Sequence, residues 1–199
     1  MDMKEMEKTF LAILSEELIP AMGCTEPIAL AYAASQARKE LGKAPTDITA
    51  YCSGNMIKNV RCVSIPNSSG LIGIEAAVAL GAFGGAASRG MEVLEAVTTE
   101  AQAQTAAFLQ EGRCRVEYLN SEIPLHFVVK MTDGTDTVEV EVQHSHMNIV
   151  SVAKNGESIY QGGSVSGEKP GADRSCLDIE SIKHFADTVP LEKIKPLID

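Results

Sequence analysis

TEAQAQTAAFLQEGRCRVEYL, residues 99–119, decides the fold class, because the sequence periodicity changes at Gly112. Before that glycine the chain is rich in strong helix formers, which predicts a long helix over Met91–Gln110. After it, apolar and polar residues alternate, as is typical of a strand with one buried face. We therefore predict an α+β protein, with helices in residues 1–112 and an antiparallel sheet built mainly from residues 113–153.

Four alternating segments make up the expected sheet, and the turn signals NSEIP, DG and NG separate them. These segments are Arg113–Leu119, Leu125–Met131, Thr137–Gln143 and Ile149–Ala153. A short β-prone run also lies further upstream, at Asp47–Cys52.

Helical patterns dominate the first half of the chain. Apolar residues recur on one face of Lys4–Leu18, and Pro20 is expected to end that helix. Thr25 is a candidate cap for a helix that continues over Ile28–Leu41. The segment Leu71–Phe83 is rich in Ala and Gly, which predicts a buried helix with close neighbours.

The domain organisation follows from a Gly-, Ser- and Pro-rich stretch at Gly162–Ser175, which reads as a linker. Residues 1–165 are predicted to form one α+β domain. Residues 166–199 are predicted to be the linker and the start of a mostly helical domain that the chain does not contain. A short helix is expected at Asp178–Ala186.

Charge and composition exclude several classes of protein. The formal net charge is −10, and an acidic chain repels phosphate backbones, so no nucleic-acid partner is expected. The longest weakly polar stretch, Leu71–Ala87, contains Glu75 and is shorter than the ~20 apolar residues of a membrane span. No membrane association is expected, and the charged N-terminus lacks the pattern of a signal peptide. The cytoplasm is the predicted location.

The five cysteines are odd in number and form no CxxC pair, which argues against a disulfide framework and a self-contained zinc site. Cys24, in the GCTEP turn, directly precedes a predicted helix. The amide groups and dipole at a helix N-terminus favour thiolate, the form that binds iron or attacks an electrophile. The alternative interpretation is a buried cysteine in a tight turn, and the two carry about equal weight.

Two small-residue loops are candidates for binding an anion such as an amino-acid carboxylate. The first is Ser53-Gly54-Asn55, with Lys58 nearby to add charge, and the second is Asn67-Ser68-Ser69-Gly70. The alternative, which is the more common one, is ordinary turns and helix caps. A shared anion would bring both loops together beside Cys24, and we expect them to converge there.

His144 and His146 follow a predicted strand, and alternation would place both imidazoles on one side of the chain. Either one is a candidate general base or metal ligand. The alternative is the polar face of an exposed strand. No other candidate catalytic or metal-binding residues accompany His126 and His184 in the sequence, and we assign them no role.

Taken together and in this order, the motifs resemble those of the L-cysteine desulfidase family, which is related to the α-chain of bacterial L-serine dehydratase. Gly23-Cys24-Thr25-Glu26-Pro27 looks like its GCTEP signature, and Ser53–Asn59 is similar to its SGNxxKN segment. His146-Met147-Asn148-Ile149 is similar to its HTNI segment, with Met in place of Thr. Further matches are Ile65-Pro66 with Gly70, Ala79-Leu80-Gly81-Ala82 and Gly84-Gly85.

The resemblance implies a lyase that converts L-cysteine to pyruvate, ammonia and sulfide by α,β-elimination. It implies a [4Fe–4S] cluster held by three cysteines, of which Cys24 matches the first. The other two ligands are expected in a C-terminal half, so the chain is expected to be inactive alone. L-Serine as substrate, and a non-catalytic module that binds an amino acid or a partner, remain alternatives.

Roles for individual residues follow from the same resemblance. The substrate carboxylate is assigned to Ser53, Asn55, Asn67, Ser68 and Ser69. Its ammonium is assigned to Thr25 or Glu26, and the proton transfer to His146 or Lys58. The expected partner is the C-terminal half of the enzyme or a second copy, bound through apolar surface that its absence would uncover around Leu71–Phe83.

Overall fold

A computed structural model describes residues 3–18, 20–162 and 171–198. Within these residues the chain divides into two compact units. The larger unit runs from residue 21 to 162, and the smaller one combines residues 3–18 and 20 with residues 171–198. The predicted domain boundary at 165/166 lies outside the described residues. The smaller unit groups the N-terminal helix with the C-terminal ones.

The larger unit contains four α-helices, six strands and one short 3-10 helix, at Ala87–Glu92. The helices are α2 (Thr25–Leu41), α3 (Gly54–Val60), α4 (Gly73–Gly84) and α5 (Thr99–Gln110). The strands are β1 (Asp47–Cys52), β2 (Cys114–Tyr118), β3 (His126–Thr132), β4 (Thr137–Gln143), β5 (Ile149–Lys154) and β6 (Glu157–Gln161). The smaller unit contains α1 (Met3–Glu17), α6 (Ile179–Thr188) and α7 (Leu191–Ile198).

The six strands form one mostly antiparallel sheet in the order β2-β1-β3-β4-β5-β6. The predicted α+β class is confirmed, and the four expected strands are β2 to β5. The sheet is larger than expected, since β6 was not predicted and β1 joins it. β1 lies between β2 and β3 and pairs with β2 in parallel, so the NSEIP segment does not close a hairpin.

One face of the sheet is buried beneath helices. Alternate residues of β3 and β4 point into the core, including Phe127, Val129 and Val140, which are fully buried. α2 lies against β3, β4 and β5, while α4 lies against β1 and β2. Helices therefore cover the face that the alternation in the sequence marks as apolar.

α2 and α4 pack closely because small residues line their contact. A Cβ atom at Gly81 of α4 would lie 2.3 Å from the carbonyl oxygen of Ala31 of α2, so no larger residue fits there. The apolar surface exposed around Leu71–Phe83 is therefore small, with Ile72 at 56% exposure as its main member. Most of α4 is buried, from Gly73 to Ala82 with the exception of Glu75, because α2, α5 and the sheet already surround it.

The long helix predicted over Met91–Gln110 is wrong in its first half. Gly90 adopts φ 55° and ψ −121° within the 3-10 segment, and α5 begins only at Thr99. The Thr98 hydroxyl caps α5 by accepting from the amide of Ala101. The side chain of Asn67 binds the carbonyl oxygens of Leu94 and Glu95, at 2.9 and 3.3 Å, which holds that intervening turn.

The smaller unit has little buried interior. Phe10 of α1 stacks on Phe185 of α6 with ring centroids 4.8 Å apart. Arg174 pairs with Glu16 and Glu17 at 3.1 and 2.6 Å. Among the described residues, none of the helices is long and apolar enough to cross a membrane.

Candidate functional site

The N-terminus of α2 carries the GCTEP turn at the protein surface. Cys24 is the N-cap residue, its side chain is exposed, and it makes no capping hydrogen bond. The prediction that Thr25 caps the helix is therefore wrong, because the helix already begins at Thr25. Gly23 has φ 109°, and a side chain at this position would approach Pro66 Cγ to 3.8 Å. The turn that presents Cys24 thus lies close to Pro66, which directly precedes the second predicted loop.

Glu26, in the first turn of α2, is held by a residue from α3. Its Oε1 accepts a hydrogen bond from Asn59 Nδ2 at 3.1 Å, and its Oε2 lies 3.4 Å from the Thr25 hydroxyl. Asn59 belongs to the SGNMIKN segment but received no role in the sequence analysis. The signal that could have identified it is an amide one helical turn beyond Asn55, at the end of a helix facing GCTEP.

His146 lies within range of the charge of the same carboxylate. Burial lowers the pKa of its imidazole, while the nearby charge of Glu26 acts in the opposite direction and raises it. Because the effect of burial is the larger of the two, the pKa is lowered and the neutral imidazole is favoured. A neutral imidazole can accept a proton near neutral pH. The structure therefore brings Cys24, Glu26, Asn59 and His146 into one neighbourhood from distant parts of the sequence.

The strand geometry expected for His144 and His146 is wrong. β4 ends at Gln143, and His144 has φ 68° in a turn that precedes β5. The side chain of Asn148 closes this turn by donating to the carbonyl oxygen of Gln143 at 2.9 Å. The turn leaves His144 exposed and His146 half-buried, so the two imidazoles do not share a strand face.

The first predicted loop begins α3 and is partly structural. Ser53 is buried; its hydroxyl donates to the carbonyl oxygen of Pro124 at 2.6 Å and accepts from the amide of Met56. Asn55 and Lys58 are exposed. Ser53 lies at one end of α3 and Asn59 near the other, roughly 9 Å apart along the helix axis at 1.5 Å per residue. The assigned polar groups of α3 thus differ in their availability to a ligand.

The second predicted loop uses its polar side chains mainly for internal contacts. Beyond the contacts of Asn67 described above, the buried Ser68 donates to the carbonyl oxygen of Leu71 at 3.2 Å. Ser69 donates to the side chain of Gln102 in α5 at 2.8 Å. Pro66 lies near Gly23 of the GCTEP turn, whereas Asn67 and Ser69 bind elements on the α5 side. Pro66 and Asn59, the residues near GCTEP, lie outside the two loops, so the convergence of Ser53–Asn55 and Asn67–Gly70 beside Cys24 stays a prediction.

The five cysteines occupy different environments. Burial and the nearby charge of Glu75 raise the pKa of Cys52 and of Cys114 to about 12, so both remain thiols at neutral pH. Cys24 and Cys62 are exposed, and Cys176 belongs to the smaller unit. In the described part of the chain, no three His, Cys, Asp or Glu residues are grouped closely enough to hold a metal ion.

An open cleft of about 400 Å³ lies between α2 and the last two strands. Its lining includes Tyr32 and Gln36 of α2, Tyr160 of β6, and Met147 and Asn148 from the turn that carries His146. The cleft therefore adjoins the His146 turn, although Cys24 is not among its lining residues.

A second polar cluster, absent from the sequence analysis, surrounds His126. Its Nδ1 lies 2.7 Å from the Ser121 hydroxyl and its Nε2 lies 2.9 Å from Glu141 Oε1, which also accepts from Gln143 at 2.7 Å. These residues project from the sheet face opposite the buried one. Through these hydrogen bonds the cluster links the segment that precedes β3 with strand β4. Glu141 reaches His126 only because β3 and β4 pair in the sheet.

The chain is homologous to UPF0597 proteins over about 98% of its length. It is 40% identical over 197 residues to a UPF0597 protein of Treponema denticola and 38% identical over 194 residues to one of Lachnoclostridium phytofermentans. In both comparisons the match covers 98% of this chain but only 46% of the relative. The chain thus spans about half the length of the relatives it matches. No protein-family model and no solved structure matches it.

Proposed function

We propose that this chain supplies part of the active site of a lyase that converts L-cysteine to pyruvate, ammonia and sulfide. The observation that carries the proposal is the grouping of Glu26, Asn59 and His146 beside the exposed Cys24. An acidic side chain next to a neutral imidazole can hold an α-ammonium group and accept the neighbouring Cα proton. We also propose that the enzyme acts in the cytoplasm.

Three residues have distinct roles in this reaction. The carboxylate of Glu26, oriented by the amide of Asn59, pairs with the substrate ammonium. A ring nitrogen of His146 accepts the proton from Cα as the Cα–H electrons form the double bond and sulfide leaves Cβ. The resulting aminoacrylate tautomerises, and water then hydrolyses the imine to pyruvate and ammonia. The lowered pKa of His146 keeps a neutral base available at physiological pH.

The described cysteines fit one ligand of a [4Fe–4S] cluster, and Cys24 is the residue that would provide it. Its thiol is exposed at a helix N-terminus, whereas burial raises the pKa of Cys52 and of Cys114 and keeps both as thiols. The bound cluster would supply a Lewis acid for the leaving sulfur. Two further ligands would have to come from sequence outside this chain, and the 199 residues alone are proposed to be inactive.

A chimera tests the proposal. The matched segment of the Treponema denticola relative is replaced by this chain, and sulfide and pyruvate are measured with L-cysteine and with L-serine. His146→Gln should lower kcat by about 10²-fold or more, as expected for loss of a general base. His144→Gln, in the same turn but exposed, is the matched control and should retain the activity.

Two further results are decisive. Cys24→Ala should abolish both the iron–sulfur absorbance and turnover, whereas Cys62→Ala, which removes the other exposed thiol of the larger unit, should preserve both. Full activity in Cys24→Ala or in His146→Gln contradicts the proposed site. Turnover of L-serine with none of L-cysteine contradicts the proposed substrate.

A further inference from the structure

The last two helices each carry an apolar stripe that the chain leaves uncovered. Ile179 and Ile182 of α6 are 86% and 47% exposed, and Leu191 and Ile198 of α7 are 81% and 71% exposed. The spacings of three and seven residues place each pair on one helix face. All residues of α6 and α7 are described, and none of them is buried.

Contacts within the smaller unit use other residues of these helices. Phe185 of α6 stacks on Phe10, and Lys193 of α7 pairs with Glu7 of α1 at 2.5 Å. The opposite side of α7 borders an open cleft of about 440 Å³, lined by Leu191, Glu192, Ile194, Lys195 and Ile198. The unit therefore anchors α7 by the side that carries Lys193 and presents Leu191 and Ile198 on the other. On α6, Ile182 lies beside the packed Phe185 and stays half-exposed.

We propose that the two apolar stripes, Ile179 and Ile182 of α6 and Leu191, Ile194 and Ile198 of α7, are docking surfaces for an amphipathic helical segment. That segment would belong to the part of the relatives' sequence that this chain does not cover. The inference deepens the proposed function and rests on its requirement for a second segment. Its test, however, measures burial and assembly rather than turnover.

The length of the relatives argues for this occupant. The chain matches 46% of the Treponema denticola protein, so more than half of that protein has no counterpart here. Branched aliphatic residues at helical spacing present an apolar helix face that can pack against the apolar face of another helix. Such exposed stripes are costly in water, and they are typical of surfaces that a partner covers.

The charge of the chain argues against a second copy as the occupant. Each copy carries a formal net charge of −10, and like charges oppose close association of two copies. Self-association through these stripes is therefore an outcome of the experiment that would overturn the proposal.

Hydrogen exchange tests the surface directly. Amide exchange is compared between the 199-residue chain and the Treponema denticola chimera that contains it. The proposal predicts at least tenfold slower exchange in α6 and α7 within the chimera, with little change in β6. Equal exchange of α6 and α7 in both proteins overturns the proposal.

Substitutions locate the contact. Leu191→Glu should leave the urea midpoint of the 199-residue chain nearly unchanged and clearly lower that of the chimera. Ile159→Glu is the matched control, since Ile159 is 50% exposed on β6, and it should act equally on both proteins. A Leu191→Glu effect of the same size in both proteins contradicts the docking surface.

A binding measurement does not depend on the chimera folding. The part of the Treponema denticola protein that this chain does not match is purified and mixed with the chain. Analytical ultracentrifugation then measures whether a complex forms. Leu191→Glu should weaken binding at least tenfold, whereas Ile159→Glu should not. Absence of a complex, or a dimer of the chain alone that Leu191→Glu dissociates, overturns the proposal. A complex that forms without turnover supports docking and counts against the lyase.

Discussion

α4 and α7 differ in how their apolar residues are arranged: α4 is apolar on nearly every side, whereas α7 has charged residues between its apolar ones. α4 is built largely from Ala and Gly and is buried on most sides, whereas α7 carries Leu and Ile and buries none of its residues. Small side chains allow α2 to approach α4 so closely that the backbone of α2 leaves no room for a Cβ atom at Gly81. Large side chains at helical spacing leave a stripe on α7 that only another element can cover. The difference shows that a helix that is apolar on nearly every side is enclosed by its neighbours, whereas an amphipathic helix can leave one apolar face exposed.

Removing a large side chain from α4 should have the largest effect in this comparison. Leu80 is fully buried in the main core, so Leu80→Ala should reduce the free energy of unfolding by about 3 kcal/mol through lost burial and a residual cavity. Urea denaturation of the purified chain measures the change. A loss under about 1 kcal/mol would show that α4 is less tightly enclosed than its burial indicates.

Adding a single methyl group at the α2–α4 contact should be the next most damaging change. Gly81→Ala would place a Cβ atom 2.3 Å from the carbonyl oxygen of Ala31, and the two helices would have to separate. We expect a cost of roughly 2 kcal/mol from overpacking, measured by the same denaturation experiment.

Gly54→Ala is the matched control for that substitution. A Cβ atom at Gly54 would meet only the exposed ring of Tyr118 at 3.6 Å, and Gly54 begins a helix. Its replacement should be neutral or slightly stabilising, because alanine loses less backbone entropy on folding. Similar losses for both glycines would mean that the close contact does not limit α2–α4 packing.

The free energy of unfolding should depend on pH in part through the protonation of His146. Its folded-state pKa lies below the ordinary value of 6.5, so the unfolded chain binds more protons as the pH falls through that value. Stability from this group is therefore present above about pH 6.5 and decreases on acidification towards the lowered pKa. His146→Gln should flatten this part of the curve of unfolding free energy against pH, while His144→Gln serves as the control. An unchanged slope in His146→Gln would falsify the burial argument.

Substitutions on the uncovered face of α7 should have the smallest effect on the isolated chain. Leu191 is 81% exposed, so Leu191→Ser should change the free energy of unfolding by no more than about 0.5 kcal/mol. Thermal denaturation of the isolated chain provides the measurement. A loss as large as that for Leu80→Ala would mean that α7 is buried in solution, and the contrast between the two helices would disappear.

The sequence also predicted parts of the candidate site, but mainly within single segments. Cys24 before a helix and Ser53 at the start of another could be read from turn residues and helix signals. The juxtaposition of Glu26 with Asn59 and His146 could not, because it joins α2, α3 and the turn before β5 across 33 or more residues. The same limit applies to His126, whose partner Glu141 lies on the neighbouring strand.

By itself, the sequence determined the α+β class, the approximate positions of most helices and strands, and the turn that places Cys24 directly before a helix. These features depend on periodicity, helix-terminating glycines and turn residues, which act over a few positions. Tertiary structure alone decided that β1 enters between β2 and β3, that Asn67 secures the turn before α5, and that α4 is enclosed. Each of these depends on pairing or packing between distant segments, and local propensity carries no information about which distant surfaces meet.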